Sequence, residues 1–345
     1  MKPRLTGADL LRTFACISVI FTHVTAEILS MGIATPQVYV FLVALNRFCL
    51  SNVPIFVFLS GLVLYYRYEK QTLPLTSFWV KRVQATFLPY AIWSAIYYAA
   101  FAYFGLVRWS SQSFLLGLLT GNTVYHLYFV IIILQFYFLF PFIKMVFDRM
   151  NSHFVLLLSL GFTFGGFQFS EYGWSQGWPS YIMDRHFLSY LFFFVLGCYM
   201  AKHYKAITTR KLPALALLLS FLLQTFLKIS LMGILYIAPT HSWNVYYQPL
   251  WLLFSSVDIV IFTLITSRIS LSETSLFHRF SSFIGSHSFT IYLSHPLLLM
   301  LITKVAHELH VTHPMSLFTM YSLFTIAGSG ILSKILTKIQ WKTAT

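Results

Sequence analysis

The sequence predicts an all-α, polytopic membrane protein with about ten transmembrane helices and both termini in the cytoplasm. Hydrophobic residues make up 58% of the 345 residues and charged residues only 9%, so a soluble globule would lack polar side chains to cover its surface. Apolar runs of about 20 residues, enough for a helix to cross roughly 30 Å of hydrocarbon, recur from end to end. We therefore expect one integral membrane domain over residues 1–345.

The apolar runs define the individual spans. The first run has full length and contains no small-residue cleavage site, so we expect it to remain as the first helix. The fifth and sixth runs are short and contain glycine. The predicted spans cover about residues 8–30, 40–66, 78–104, 124–147, 154–169, 187–203, 213–237, 247–267, 287–306 and 315–338.

The distribution of Lys and Arg sets the predicted orientation, because cytoplasmic loops collect positive charge. Basic residues alternate between successive loops, which gives an even number of spans. The poorer side holds Arg108, Arg185 and Lys304, with Arg47 and Lys228 near helix ends. The richer, cytoplasmic side holds Lys2, Arg4, Arg67, Lys70, Lys81, Arg82, Lys144, Arg149, Lys202, Lys205, Arg210, Lys211, Arg268, Arg279, Lys334, Lys338 and Lys342.

Several function classes are disfavoured by the sequence. The net charge of +14 lies in short clusters between apolar runs, as topology requires, and does not indicate a nucleic-acid partner. The cysteines 16, 49 and 198 lie inside apolar runs without metal or redox spacing, so we interpret them as small buried hydrophobes. "HELHVTH" (307–313) lacks the HExxH zinc pattern, and no metal is expected. Nucleotide-hydrolysis and dinucleotide motifs are missing too.

The first predicted helix carries an unusual polar pair. Arg12 and His23 are eleven residues apart, so they share a helix face and lie about 16 Å apart along the axis. Glu27, one turn further, shares that face, and its carboxylate is a candidate acceptor for the imidazole N–H. The alternatives are that Arg12 snorkels to the interface, that His23 bonds a neighbouring helix and that Glu27 marks the outer interface.

Five ordered motifs resemble the acyltransferase-3 family of integral membrane acyltransferases. The first is the pair Arg12 and His23, which matches the family's Arg, ten residues and His. The resemblance covers essentially the whole chain. The other four are "NVPIFVFLSGLVL" (52–64), "FWVKRVQATFLPY" (78–90), "HLYFVIIILQFYF" (126–138) and "IGSHSFTIYLSHPLL" (284–298).

Within that family the chain looks most like the proteins that modify polysaccharide intercellular adhesin, a poly-N-acetylglucosamine. The similar stretches are residues 133–140 and "LFFFVLGCYM" (191–200). Two positions depart from the family pattern. Thr86 stands where a second Arg is frequent, which argues against a phosphate site formed by two arginines here. Tyr128 stands where Trp is frequent.

The resemblance implies transfer of a short acyl group, acetyl or succinyl, from cytoplasmic acyl-CoA to a glycan hydroxyl. A neutral imidazole suits this chemistry as a general base, and we assign that role to His23. Arg12 and Glu27, on the same helix face, complete the predicted catalytic residues. Arg binds phosphates well, so Arg12 and Arg82 are candidate contacts to the CoA phosphates. His295, before Pro296, is interpreted either as a donor-site residue or as support for a helix kink.

The acceptor side is less well defined by the sequence. Arg185 is one of few outward arginines, and an acceptor-facing role is suggested for it. His126 and Tyr128 lie two residues apart and do not share a helix face, so packing competes with substrate binding. The outward loops at about 105–123 and 170–186 are together rich in Trp, Gly, Ser and Tyr, which is typical of an aromatic interface belt and also suits stacking on sugar rings.

The sequence leaves two rival functions open. Ten helices with a polar intramembrane pair also suit a transporter or flippase for a glycan or lipid-linked sugar. A non-catalytic partner of a polysaccharide synthase is the second rival. The favoured interpretation is an exopolysaccharide or cell-wall O-acyltransferase in a bacterial plasma membrane, with acyl-CoA, a glycan acceptor and the bilayer as partners and synthase components nearby.

Overall fold

The computed structural model describes residues 5–209, 213–237, 243–269, 272 and 274–343. In this part of the chain the secondary structure is helical throughout, without strands, so the predicted all-α class is confirmed. The helices are α1 (Thr6–Ser30), α2 (Pro36–Phe48), α3 (Asn52–Tyr68), α4 (Leu75–Arg82), α5 (Leu88–Tyr103), α6 (Ser111–Thr120), α7 (Tyr128–Arg149), α8 (Ser152–Ser175), α9 (Ser180–Met183), α10 (Leu191–Lys202), α11 (Tyr204–Thr208), α12 (Ala214–Ile237), α13 (Trp243–Thr266), α14 (Leu276–Glu308) and α15 (Pro314–Thr343).

Short non-α segments connect some of these helices without a break in the helical path. A 3-10 turn, Cys49–Ser51, joins α2 to α3, and another, Phe187–Tyr190, leads into α10. A π-helical segment, Val83–Phe87, joins α4 to α5. Pro89 has no N–H for the carbonyl of Ala85, and the amide of Leu88 instead bonds Val83, which widens the turn.

The predicted spans coincide with helices of the structure. By length and hydropathy, eight helical stretches in the described residues are suited to cross a membrane. The sixth predicted span corresponds to the shorter apolar helix Phe187–Lys202, and the third to the continuous path from α4 to α5. The protein is thus polytopic, while its orientation and its division into ten crossings stay predictions. The eight stretches are Gly7–Ser30, Pro36–Tyr68, Tyr128–Arg149, Ser152–Ser175, Ala214–Tyr236, Tyr246–Thr266, Leu276–Glu308 and Pro314–Thr337.

The chain divides into two compact units. The first comprises residues 1–56 and 208–345, and the second comprises residues 57–207. One integral membrane domain over residues 1–345 stays a prediction. In the first unit, α1 packs against α14 and α15 through a core that includes Val24, Ile28, Ile291, Leu299 and Tyr321.

Two glycines allow α3 and α10 to approach closely within the second unit. A Cβ atom at Gly61 would overlap the carbonyl oxygen of Phe194, and one at Gly197 would overlap the carbonyl oxygen of Phe58. Both glycines belong to motifs noted in the sequence, "NVPIFVFLSGLVL" and "LFFFVLGCYM". Their small size is therefore a requirement of helix packing in the membrane.

Candidate active site

The structure brings His23 of α1 together with His295 of α14. The two imidazole rings are stacked, with centroids 5.3 Å apart and planes 28° apart. His295 is completely buried, and the surrounding core of the first unit is aliphatic and aromatic. His23 is half-buried, so the low-dielectric surroundings that strengthen polar interactions apply most to the His295 ring.

Pro296 explains the orientation of the His295 ring. Proline lacks an amide hydrogen, so the carbonyl four residues earlier, that of Tyr292, loses its helical donor. The Nδ1 atom of His295 lies 2.7 Å from that carbonyl oxygen. Because a carbonyl only accepts, Nδ1 carries the hydrogen, and the neutral ring presents Nε2 as its basic nitrogen.

Glu27 does not form the predicted pair with His23. Among the described residues, the hydrogen bonds and ion pairs do not join its carboxylate to the imidazole. Glu27 is half-buried near the end of α1, within electrostatic range of Tyr321. The ring of His295 occupies the position beside His23, because the packing of α1 on α14 presents it there.

Arg12 lies about two turns before the middle of α1 and forms an ion pair with Asp9. Its terminal nitrogen donates to Asp9 Oδ1 at 2.9 Å, and 28% of the Arg12 side chain is exposed. Asp9 itself is buried, and its backbone oxygen accepts from Thr13, whose hydroxyl also lies 2.8 Å from the carbonyl of Ser281. Asp9 therefore orients the guanidinium while part of it faces solvent.

Arg82 occupies the end of α4 in the second unit. Its guanidinium carbon lies 5.2 Å from the ring centroid of Tyr137 and 5.7 Å from that of Phe78. The Nε atom is buried and has no acceptor among the described residues. Stacking on aromatic rings fixes a guanidinium while its in-plane donors stay usable.

Arg185 is built into a clasp between loops of the second unit. It is 9% exposed and donates to the carbonyl of Thr120 and to Asn122 Oδ1. Gln135 of α7 donates to the carbonyl of Arg185 at 2.7 Å and accepts from the amide of Phe187 at 2.9 Å. Tyr128, at the start of α7, is within electrostatic range of the Arg185 guanidinium.

His126 is a packing residue in this structure. It lies in the turn directly before α7, two residues before that helix begins. The ring is 2% exposed and meets Tyr97 and Tyr125 edge-on, with centroids 5.5 and 5.6 Å away. The packing interpretation fits these contacts better than substrate binding.

Three charged residues are buried inside the first unit, and the sequence-based interpretation does not predict their burial. Lys228 of α12 and Asp258 of α13 form a 2.6 Å ion pair, with side chains 2% and 3% exposed. Arg47 is also buried, although it lies in the last turn of α2 as predicted. Lys228 lies inside α12 and does not mark a helix end. A charge well inside an apolar run is itself the signal that identifies such residues.

Comparison with known proteins supports the resemblance found in the motifs. A family model described as "Acyltransferase domain", that of the acyltransferase-3 family, matches residues 5–334. No curated protein and no solved structure matches the chain.

Proposed function

The chain belongs to the acyltransferase-3 family, and we propose that it transfers acetyl or succinyl from cytoplasmic acyl-CoA to a hydroxyl group of a cell-surface or exported polysaccharide. Membership of the family makes the chain a membrane acyltransferase. The donor, the acceptor and the residue roles are the proposal. The stacked pair His23 and His295 is the observation that carries it.

His23 acts as the general base. Its neutral imidazole removes the proton of the acceptor hydroxyl as that oxygen attacks the thioester carbonyl. The C–S bond then breaks, the ester is released, and the imidazolium returns the proton to the CoA thiolate. Proton transfer of this kind contributes about 10²-fold to 10⁴-fold to rate.

His295 supports this base from α14. Its Nδ1 hydrogen is committed to the Tyr292 carbonyl, so the ring is held in one tautomer beside His23. In an apolar core, a positive charge on one imidazole disfavours a second positive charge on the other. The pair therefore accepts one proton, the one removed from the acceptor hydroxyl. The role of Glu27 in this proposal is electrostatic, as a negative charge near the outer end of α1.

Arg12 and Arg82 bind the phosphates of the donor. Asp9 takes one of the donor groups of Arg12 and leaves the partly exposed guanidinium oriented for an anion. Arg82 presents guanidinium donors while its guanidinium carbon lies near the rings of Phe78 and Tyr137. Their placement near the cytoplasmic helix ends follows from the predicted orientation.

The acceptor contacts the second unit through Tyr128 and the clasp held by Arg185. Arg185 fixes the loops, and Tyr128 supplies a ring edge and a hydroxyl suited to a sugar. His126 supports this region by packing. The polysaccharide intercellular adhesin class is the proposed acceptor, and a bacterial plasma membrane with synthase components nearby is the proposed setting.

The test follows CoA thiol release by the purified protein in detergent, with acetyl-CoA and succinyl-CoA as donors and poly-N-acetylglucosamine oligomers as acceptor. Wild type is expected to release thiol, and His23→Ala to lose at least about 10²-fold of that rate while still binding CoA. Arg12→Ala is expected to weaken CoA binding. His307→Ala, an exposed histidine at the end of α14, serves as the matched control.

Two outcomes would overturn the proposal. Full activity of His23→Ala would remove the assigned base. Failure of wild type to bind or cleave either donor would favour the transporter, for which His23→Gln should be tolerated or reduce transport only gradually.

A further inference from the structure

Arg47 is a permanently charged side chain within the apolar part of the first unit. It lies at the end of α2, eleven residues after Pro36 and so about 16 Å along the helix, and it is 9% exposed. A guanidinium stays protonated at any physiological pH. A charge at such depth is costly unless a counter-charge faces it.

The acidic residues in the described part of the chain do not supply that counter-charge. The sequence contains nine Asp and Glu residues, and eight of them lie in the described part. None of these eight carboxylates forms an ion pair with Arg47. The ninth, Glu273, belongs to the segment between α13 and α14, on the predicted cytoplasmic face. Three of these carboxylates pair with other cations: Asp9 with Arg12, Asp148 with Lys144 and Asp258 with Lys228.

Neutral groups hold the Arg47 guanidinium in place. One terminal nitrogen donates to Asn46 Oδ1 at 2.6 Å, and Asn46 in turn donates to Thr25 Oγ1 at 2.8 Å. The Arg47 guanidinium carbon lies 4.4 Å from the ring centroid of Tyr236. The Nε–H is buried and has no acceptor in the described part of the chain. The group is therefore oriented, and one of its donors is unused.

Lys228, in the same unit, is a buried cation with a carboxylate counter-charge. Its ammonium group donates to the Phe48 carbonyl, to Ser51 Oγ and to Asp258 Oδ2, at 2.8, 2.9 and 2.6 Å. All three of its hydrogens have acceptors, one of them charged. Arg47, one residue before Phe48 in sequence, has no such carboxylate.

The surroundings of Arg47 indicate the side from which a ligand arrives. Tyr236, 37% exposed, lies at the end of α12 and covers the guanidinium. The segment that follows, up to the start of α13, contains no Lys or Arg in the sequence, and the charge pattern assigns it to the outer face. A ligand that displaces Tyr236 therefore comes from the outer leaflet.

We propose that Arg47 binds a phosphate group presented from the outer leaflet, with Tyr236 as the movable cover. Phosphate oxygens accept from two or more donors of a planar guanidinium fork, and lipid phosphates are the anions that a bilayer offers at this side. The source is either a phospholipid headgroup or the phosphate of a lipid-linked glycan. The proposal uses the predicted orientation and does not depend on acyl transfer.

Direct binding to the full-length protein in detergent tests this site. The probes are phosphatidylglycerol, a polyprenyl phosphate and inorganic phosphate, with phosphatidylcholine as baseline, and the readouts are native mass spectrometry and the midpoint of thermal unfolding. Wild type is expected to retain a phosphate-bearing lipid, and Arg47→Gln to bind it about 10-fold to 100-fold more weakly. Lys304→Gln removes one exposed positive charge on the same predicted side and should bind as wild type does.

The probes distinguish the two sources of the phosphate group. Preference for the polyprenyl phosphate points to a lipid-linked glycan, whereas preference for phosphatidylglycerol points to a phospholipid, and both support the site. Equal binding by wild type and Arg47→Gln, or no binding of any probe by wild type, would overturn it. Should Arg47→Gln not fold, Arg47→Lys decides: several-fold weaker binding supports the fork geometry, and wild-type affinity refutes it.

Discussion

The Nδ1 atom of His295 donates to the carbonyl oxygen of Tyr292 at 2.7 Å, and Pro296 is the reason that this carbonyl accepts a side chain. One proline thus selects the tautomer of a buried imidazole that stacks on His23. The two sequence-based interpretations of His295, kink support and a role in the reaction, are compatible in this geometry. The same ring satisfies the freed carbonyl and stands beside the proposed base.

His295→Asn separates these two roles. The Asn amide replaces the Nδ1–H donor and so keeps the bond to the Tyr292 carbonyl, but it removes the ring that faces His23. We expect a folded protein with acyl transfer reduced by at least about 10-fold, because the base loses its positioning neighbour. Thiol release at saturating acyl-CoA measures the effect.

Two comparisons make that result interpretable. The unfolding midpoint of His295→Asn should stay near that of wild type, whereas His295→Ala, which leaves the carbonyl without a donor, should unfold earlier. Wild-type turnover by His295→Asn would mean that His295 only supports the kink.

Close packing of α3 on α10 gives a second prediction. Gly61→Ala places a methyl group against the backbone oxygen of Phe194, which cannot move aside as a flexible side chain would. We expect a loss of stability of about 1–3 kcal/mol or more. Gly165→Ala is the matched control, because a Cβ there meets nothing within 4 Å, and its effect should stay within about 1 kcal/mol. Denaturant midpoints in detergent measure both, and equal effects would contradict the packing argument.

The sequence predicts the helices well and the contacts between them poorly. Hydropathy and length locate α1, α7 and α12 because a bilayer imposes both on any span. His23 and His295 are 272 positions apart, and their stacking depends on the rotation and depth at which α1 meets α14. Neither quantity is encoded in a local pattern.

Errors in the predicted site have the same origin. Periodicity within one helix predicts that Glu27 lies beside His23, but it takes no account of a ring from another helix. Lys228 and Asp258 were available to sequence analysis as opposite charges inside neighbouring spans.

The buried pair of Lys228 and Asp258 gives a third prediction. Asp258→Asn leaves the ammonium group inside the membrane unit without its counter-charge, and we expect a loss of about 3–5 kcal/mol. The double variant Lys228→Met with Asp258→Leu removes both charges and should lose less than Asp258→Asn alone. Unfolding in a detergent titration measures each variant. A double variant at least as unstable as Asp258→Asn would show that the pair itself stabilises the fold.

Stability should also depend on pH through His186, which lies outside the spanning segments, before the 3-10 turn that leads into α10. Its Nε2 lies 2.7 Å from Ser170 Oγ, Phe169 meets its ring edge-on, and burial lowers the pKa of His186 below 6.5. Below about pH 6.5 the unfolded chain therefore binds a proton that the folded chain resists. This contribution to stability is present above pH 6.5 and is lost as pH falls toward the lowered pKa.

Thermal unfolding midpoints between pH 8 and pH 5.5 test this dependence on His186. Burial raises the pKa of the neighbouring Asp184, and the Arg185 guanidinium partly offsets that rise. The contribution of Asp184 to stability therefore changes at lower pH than that of His186, and it increases as the pH falls. Wild type is expected to lose more stability than His186→Asn over this range, because the Asn amide keeps a hydrogen-bonding group but does not change its protonation state. The exposed His307→Asn should follow the wild-type profile. Parallel curves for wild type and His186→Asn would assign the pH dependence to other groups.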